Sequence, residues 1–438
     1  MSGTRENKNT FILFIIMMLG LFLPVIQQNS MIVEVKPLLG AVEYEEKPTL
    51  TISSWVDESF QASTEKYLNQ EFGFRNWFVR LHNQIAYSLF DETNAHSVVI
   101  GKEGYLYEEN YIKAYYGRDY MGDSLINDKV QRIKFLQDTL ASLGKNLLVV
   151  ITPGKATFYP EYIPDHLKSE KAKTNYEAFI NISKKKQLQL IDFNAWFVEQ
   201  KNKSAYCLYP KTGIHWSRYA MDLVIDSLLS NIEHERNIDL PDLEIQQAIL
   251  SDMLIDPDRD IEDGMNLLFD IPNEPMAYAE VSYNESGKVK PSAIVISDSF
   301  FWGLYGKGLM MHAFDKGEFW FYNREIYTPD REGAGMVTEV DLFKEIMETD
   351  VIILMTTDAN LPKFPWGFDE SAVYALNNLD EYMADLQKRE EKINGYIGAI
   401  KSSPEWLEST RIQSLDKNIS LDSMILLNAI YMVETEGK

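Results

Sequence analysis

Four short apolar runs decide what this chain can fold into. Leu147 to Thr152, Leu188 to Ile191, Ile294 to Ile296 and Val351 to Met355 each have the length and composition of a buried strand. Between them the spacing turns helical, over Val130 to Leu143 (ended by Gly144, a fitting C′ residue), 174–186, Tyr219 to Ile232 and Val340 to Glu348. Strands alternating with helices predict an α/β fold built on a doubly wound, mostly parallel sheet. Such sheets bind ligands beyond the carboxyl ends of their strands. Lys155, Asp192, Ser299 and Asp358 all fall there on this reading.

The flanks differ in character. Phe11 to Ile26 is apolar and uncharged; Arg5 and Lys8 precede it, and Glu34, Glu43, Glu45 and Glu46 follow, against Lys36 and Lys47. This asymmetry predicts an uncleaved signal anchor with a cytoplasmic tip and an extracytoplasmic remainder, periplasmic if the anchor sits in an inner membrane. Residues 33–52 resemble a stalk. Ser53 to Phe90 is helical in pattern, with Trp77, Leu81, Ile85 and Leu89 repeating every four, and Gly101 to Tyr107 predicts a hairpin turn. From Asp369 onward charged helices without strands form an appendix, one of them starting at Ser403-Pro404. The expected division is 1–32 tip and anchor, 33–125 stalk, leading helices and hairpin, 126–368 α/β domain, and 369–438 appendix.

Composition narrows the partners. A formal charge of −24 disfavours nucleic acid, which is held by neutralising phosphates. The one compact basic run, Lys184 to Lys186, is expected to be a solvated helix end. A single cysteine, Cys207, excludes an intrachain disulfide framework and any Cys-rich zinc site. Asp256, Asp258 and Asp260 alternate as in a calcium loop, but Ile261 and Leu267 stand where glycine and glutamate belong. A solvated loop is expected there, with no metal and no cofactor.

Two motifs carry chemistry. Gly213-Ile214-His215-Trp216-Ser217 follows a turn, and Ser297-Asp298-Ser299-Phe300 closes the apolar run at Ile296. A hydroxyl nucleophile needs a base within hydrogen-bond reach, and His215 is the best candidate for Ser299. The acid that would orient the imidazole is missing from its neighbourhood in the sequence, since Gly213 stands two residues before it.

These stretches resemble the SGNH-hydrolase-like proteins of exopolysaccharide O-acetylation, the AlgJ/AlgX-like group. The similarity spans most of residues 53–358. It rests on Trp55 to Arg75, the Gly101-Lys102-Glu103-Gly104-Tyr105-Leu106-Tyr107 hairpin, Pro153-Gly154-Lys155 with Tyr159-Pro160-Glu161, His215-Trp216-Ser217 and Ser297 to Phe300. The order, histidine block before serine block, resembles this group rather than ordinary SGNH enzymes. The resemblance implies O-acetyl transfer to or from a cell-envelope or secreted polysaccharide such as alginate, beside a membrane O-acyltransferase. An acyl-Ser299 would form, with His215 as base and backbone N–H groups near Ser299 holding the oxyanion. It also places Lys155, Ser297 and Asp298 in the substrate or oxyanion neighbourhood, with Ser297 in place of the group's glycine. In the group an acid two residues before the histidine orients it. Losing that acid alone costs roughly 10⁴-fold in a serine protease, about 5.5 kcal/mol of barrier. Asp192 or Asp358 could stand in, the His–Ser pair could act alone, or the protein could be a lapsed glycan-binding or assembly protein.

Overall fold

The computed structural model describes residues 3–40, 46–329, 333–417 and 419–436; Glu43 and Glu45 of the expected acidic flank lie outside them. The chain opens with α1 (Gly3–Ser30), of which Thr10–Ser30 is long and apolar enough to cross a membrane. Three helices follow, α2 (Ile52–Val56), α3 (Ser59–Glu71) and α4 (Arg75–Phe90). The expected hairpin is present: β1 (Val98–Ile100) pairs antiparallel with β2 (Leu106–Glu108) across a turn in which Gly104 has φ +76°. Helices α5 (Glu109–Tyr115) and α6 (Asp123–Ser142) lead into the first core strand, β3 (Asn146–Thr152).

After β3 come α7 (Lys155–Phe158), α8 (Asn175–Lys186), β4 (Leu190–Asp192), α9 (Phe193–Gln200) and α10 (Arg218–Arg236). Helix α8 starts where it does because Thr174 and Glu177 form a reciprocal capping box, and its last turn carries Lys184 to Lys186 against the negative end of the dipole. The stretch 238–290 forms two small ribbons, β5 (Asp242–Ile245) with β8 (Val281–Asn284) and β6 (Ile249–Ser251) with β7 (Met276–Tyr278), around α11 (Asp260–Met265).

Next are β9 (Ala293–Ser297), α12 (Phe301–Gly306), α13 (Leu309–His312), β10 (Gly317–Phe321), β11 (Glu325–Tyr327), β12 (Gly333–Met336), α14 (Leu342–Glu348) and β13 (Val351–Thr357). Helices α15 (Phe368–Asn377), α16 (Leu379–Ser402), α17 (Pro404–Asp416) and α18 (Leu421–Thr435) end the chain. The last three share a small apolar cluster of their own around Ile400, Ile425 and Ala429.

The central sheet has the order β12-β11-β10-β9-β13-β3-β4. The five strands from β10 to β4 run parallel, and β11 and β12 add an antiparallel edge. Alternation along the strands shows why helices must cover both faces. Val150, Val295 and Ile353 point into one core with α10 and α12, while Val149, Ile296 and Leu354 point into another with α6, α8 and α15. Period-two burial on both faces makes the strands read as continuous apolar runs. The sequence-based expectation of a mostly parallel α/β sheet with an N-terminal apolar helix therefore holds; the antiparallel edge was not expected.

One buried carboxylate ties the carboxyl ends of β9 and β13 together. Asp298 accepts from Phe300 N at 3.1 Å through one oxygen. Through the other it accepts from Thr357 N at 3.0 Å, Thr357 Oγ1 at 3.1 Å and Asn360 Nδ2 at 2.9 Å. Both oxygens of this wholly buried carboxylate are thus bonded within the fold, which makes Asp298 a structural staple. Asp298→Ala leaves buried donors unpaired and should lower unfolding free energy by about 3 kcal/mol, read from denaturant titration of the purified protein.

Candidate functional site

The site is assembled at the carboxyl end of the sheet, from three segments far apart in the chain. The β9-to-α12 turn supplies Ser299. Phe300 is wholly buried there, its ring 5.5 Å from the Trp216 ring and 4.8 Å from the His215 ring. Trp216 stacks in turn on Phe197, at 6.0 Å. These apolar contacts fix the imidazole from one side.

The loop that carries His215 is held from below. Ser217 caps α10, accepting from Ala220 N, and donates to Cys207 O at 2.7 Å. Tyr209 donates its hydroxyl to Ile214 O at 2.6 Å. Lys155, fully buried, sends its ammonium to Lys211 O at 2.8 Å and Gly213 O at 2.5 Å. Burial pushes that ammonium down to about 7, opposed by Asp260, Cys207 and Glu108. Lys155 is therefore a brace for the histidine loop. Cys207 donates to Tyr209 O at 2.9 Å and forms no pair with His215.

Ser299 Oγ lies 2.9 Å from His215 Nε2, and His215 Nδ1 lies 2.5 Å from Asp260 Oδ2. A complete serine–histidine–aspartate chain is present. Its acid is the first residue of α11, 45 positions after the histidine. The other oxygen of Asp260 accepts from Ile214 N at 2.8 Å, so the carboxylate grips the histidine loop twice. Three bonded atoms in line satisfy the geometry by which such triads are recognised.

The expected surrogate acids are engaged elsewhere. Asp192 caps α9 through Ala195 N at 3.0 Å and accepts from Tyr176 Oη at 2.8 Å. Asp358 accepts from Thr157 Oγ1 at 2.6 Å in an enclosed spot, where burial pushes its carboxyl up to about 6. The segment expected to be a solvated loop is the one that supplies the acid. Asp258 is fully buried, accepts from Arg218 N at 3.2 Å, and burial pushes its carboxyl up to about 7.

Gly213 explains why the acid can come from there. A Cβ at this position would sit 2.4 Å from Pro257 O and 2.9 Å from Asp258 C, both backbone atoms. The space that a side chain two residues before the histidine would fill is occupied by the strand of chain that delivers Asp260. The ground on which the sequence suggested a lapsed site is thereby removed.

Two further residues face the triad, and the sequence motifs gave no sign of either. The Tyr322 phenol, just past β10, lies near enough to Ser299 for that residue's hydroxyl and backbone N–H to lower its pKa, while burial, the larger effect, pushes it up to about 12. It stays protonated near neutrality and can donate. Glu108, at the end of β2, is a mostly buried carboxyl raised by burial and lowered by the charge of His215. Ser297 is buried, and its hydroxyl has no partner among the described residues. His215 and Asp260 keep side-chain exposures of 17% and 21%, so the triad opens to solvent while its supports do not. A cavity of about 580 Å³ beside Asn146, Leu190 and Val351 lies at the opposite end of the strands and has no part in this constellation.

Residues 98–251 match the family model described as "SGNH hydrolase-like domain, acetyltransferase AlgX". Over these residues the chain is similar to AlgX-type SGNH hydrolase-like domains. The chain is AlgJ/AlgX-like, as the motifs suggested. The AlgX-type match contains Lys155 and His215 and stops short of Asp260 and Ser299, which are placed by geometry alone. Among curated relatives, the probable alginate O-acetylase AlgJ of Pseudomonas aeruginosa is 25% identical over 178 residues, 40% of this chain and 43% of that one. AlgJ of Azotobacter vinelandii is 25% identical over 169 residues, 39% of this chain and 42% of the relative. The chain thus spans less than half the length of either. Among solved structures, the O-acetyltransferase domain of Pseudomonas putida AlgJ aligns with a TM-score of 0.41 at 16% identity, over 63% of this chain and 99% of that one. Bacillus cereus PatB1 aligns at 0.36 and 14%, over 55% and 91%.

Burial disfavours the charged imidazole of His215, but the charge and hydrogen bond of Asp260, with Asp298 and Glu108, outweigh it and raise its pKa above 6.5. A general base must be neutral, so turnover should rise with pH through a midpoint above about 6.5. Asp260→Asn removes the main raising influence and leaves the burial, so the midpoint should move to lower pH while the plateau falls by roughly 10⁴-fold. A pH–rate profile of both proteins reads both effects. Gly213→Asp should not raise turnover: the added side chain meets backbone, costs about 1–3 kcal/mol of stability, and displaces Asp260. Melting and ester turnover of that variant check this.

Proposed function

We propose that this protein transfers acetyl groups to hydroxyls of a polysaccharide outside the cytoplasm, through an acyl-Ser299 intermediate. The observation that carries the reading is the unbroken chain from Ser299 Oγ through His215 to Asp260. In the first half-reaction His215 Nε2 takes the Ser299 proton as Oγ attacks the donor's acyl carbonyl. The leaving group departs with that proton, and acyl-Ser299 remains. In the second, His215 takes the proton of a glycan hydroxyl as its oxygen attacks the acyl carbon. The ester forms, and the proton returns to Ser299 as Oγ is released. Asp260 holds the tautomer and balances the imidazolium. In this reading Tyr322, protonated and close to Ser299, donates to the oxyanion.

The acyl class and the polysaccharide are supported by the match to the acetyltransferase family model and by relatives named alginate O-acetylase. Helix α1 supports a single anchor in the inner membrane, with the sheet domain on the periplasmic side. A membrane O-acyltransferase is the proposed source of the donor. The proposal keeps the division into anchor (1–32), stalk, leading helices and hairpin (33–125), α/β domain (126–368) and helical appendix (369–438).

Ser299→Ala should reduce turnover of a small acetyl ester to the rate of the buffer. It should also abolish the acetyl adduct, a gain of one acetyl mass on the intact protein trapped by acid quench. Wild-type and variant rates that coincide would sink the enzymatic reading.

A further inference from the structure

Helix α4 is amphipathic the wrong way round for a soluble domain. Its polar side faces the protein: Arg80 donates to Lys36 O at 3.0 Å and Pro37 O at 2.7 Å, and Asn83 donates to Met265 O at 2.8 Å. Gln84 accepts from Leu268 N and Phe269 N at 3.1 and 3.0 Å. The apolar side faces out. Trp77, Phe78, Leu81, Ile85 and Leu89 are exposed by 50%, 49%, 40%, 43% and 72%. At 100° per residue they fall within one arc of about 120°, a stripe roughly 18 Å long. A contiguous apolar face of this kind marks an interaction surface.

Its place in the fold says what covers it. The turn between α3 and α4 is seated against the end of the apolar helix α1. A Cβ on Gly73 would meet Pro24 O at 2.1 Å, Gln28 N at 2.7 Å and Gln27 Cβ at 2.9 Å, so only glycine allows that approach. The outward stripe therefore begins where the anchor leaves the bilayer. Its first residues are Trp77 and Phe78, and tryptophan in particular is a residue of the membrane–water interface. The geometry points to α4 as an interfacial helix whose Trp77–Leu89 stripe is buried in lipid at the headgroup–acyl boundary, beside the anchor. The inference rests on the reading of α1 as an anchor. It adds that the α/β domain is docked on the bilayer by a second contact, through α4, which is bonded to Met265 and Leu268 at and just past the end of the helix that carries Asp260, rather than swinging on a tether.

The test uses the full-length chain in bilayers of phosphatidylethanolamine and phosphatidylglycerol, with Cys207→Ser as background and nitroxide labels at Leu81→Cys, Leu89→Cys or, as anchor control, Leu19→Cys. Spin relaxation by oxygen, which partitions into lipid, is compared with relaxation by a water-soluble nickel chelate. Lipid burial of α4 predicts that oxygen dominates at 81 and 89 as it does at 19. Oxygen dominance at 19 with nickel dominance at 81 and 89 overturns the docking and leaves the anchor standing. Nickel dominance at all three overturns the anchor and the inference with it. Dipolar broadening between labels at 81, absent on dilution with unlabelled protein, assigns the stripe to a second copy and overturns the lipid assignment.

Discussion

The site depends on one carboxylate reaching an imidazole from a different part of the chain. Asp260 does three things at once: it holds Nδ1 of His215, it accepts from the backbone of Ile214, and it raises the basicity of the ring against the cost of burial. None of this would fit if residue 213 had a side chain. Lys155 then pins Gly213 through its carbonyl, so the glycine is fixed in place as well as small. A pair of hydrogen bonds and one missing methyl group organise the rest. The aromatic wall of Phe300, Trp216 and Phe197 sets the distance between histidine and serine, and the Asp298 staple sets the height of Ser299 above the sheet.

Much of the fold was legible because its strands are buried on both faces. Period-two alternation between two apolar cores leaves uninterrupted hydrophobic runs, and these mark β3, β9 and β13 plainly. The antiparallel edge of β11 and β12 was not legible, since three- and four-residue strands at a sheet margin have little apolar signature. Ser299 and His215 could be named because each ends or follows a recognisable element. Their acid could not. Asp260 opens a six-residue helix in an irregular acidic stretch, and its carboxylate neighbours made it look like one of several solvated charges. Asp192 and Asp358 do lie at strand ends, but Asp192 spends its oxygens on a helix cap and on Tyr176, and Asp358 bonds Thr157 through Oδ2; neither is the hydrogen-bond partner of His215. Topology brought four groups to one rim of the sheet; only hydrogen-bond accounting separates those that face the histidine from those that hold the rim together.

Lys155 and Asp298 illustrate the same distinction from the other side. Both sit in motifs beside the reactive residues, and both are wholly buried with their polar atoms committed to backbone and side-chain partners of the fold. Tyr322 and Glu108 belong to no reactive motif, yet Ser299 lowers the pKa of the one and His215 that of the other. Proximity in sequence to a nucleophile is a poor guide to contact with the reacting atoms, because adjacent residues at a strand end point to opposite sides.

The joint arrangement of Gly213 and Asp260 also has an evolutionary consequence. An acid supplied from two residues before the histidine and an acid supplied from α11 are two solutions of one electrostatic problem, and they exclude each other sterically. Moving between them one substitution at a time passes either through a protein with no acid or through one with a side chain driven into the backbone of Pro257 and Asp258. The geometry therefore predicts sign epistasis between the two positions. A lineage that holds glycine at 213 and aspartate at 260 is locked into that pair, and its members will be passed over by any search that demands the acid beside the histidine.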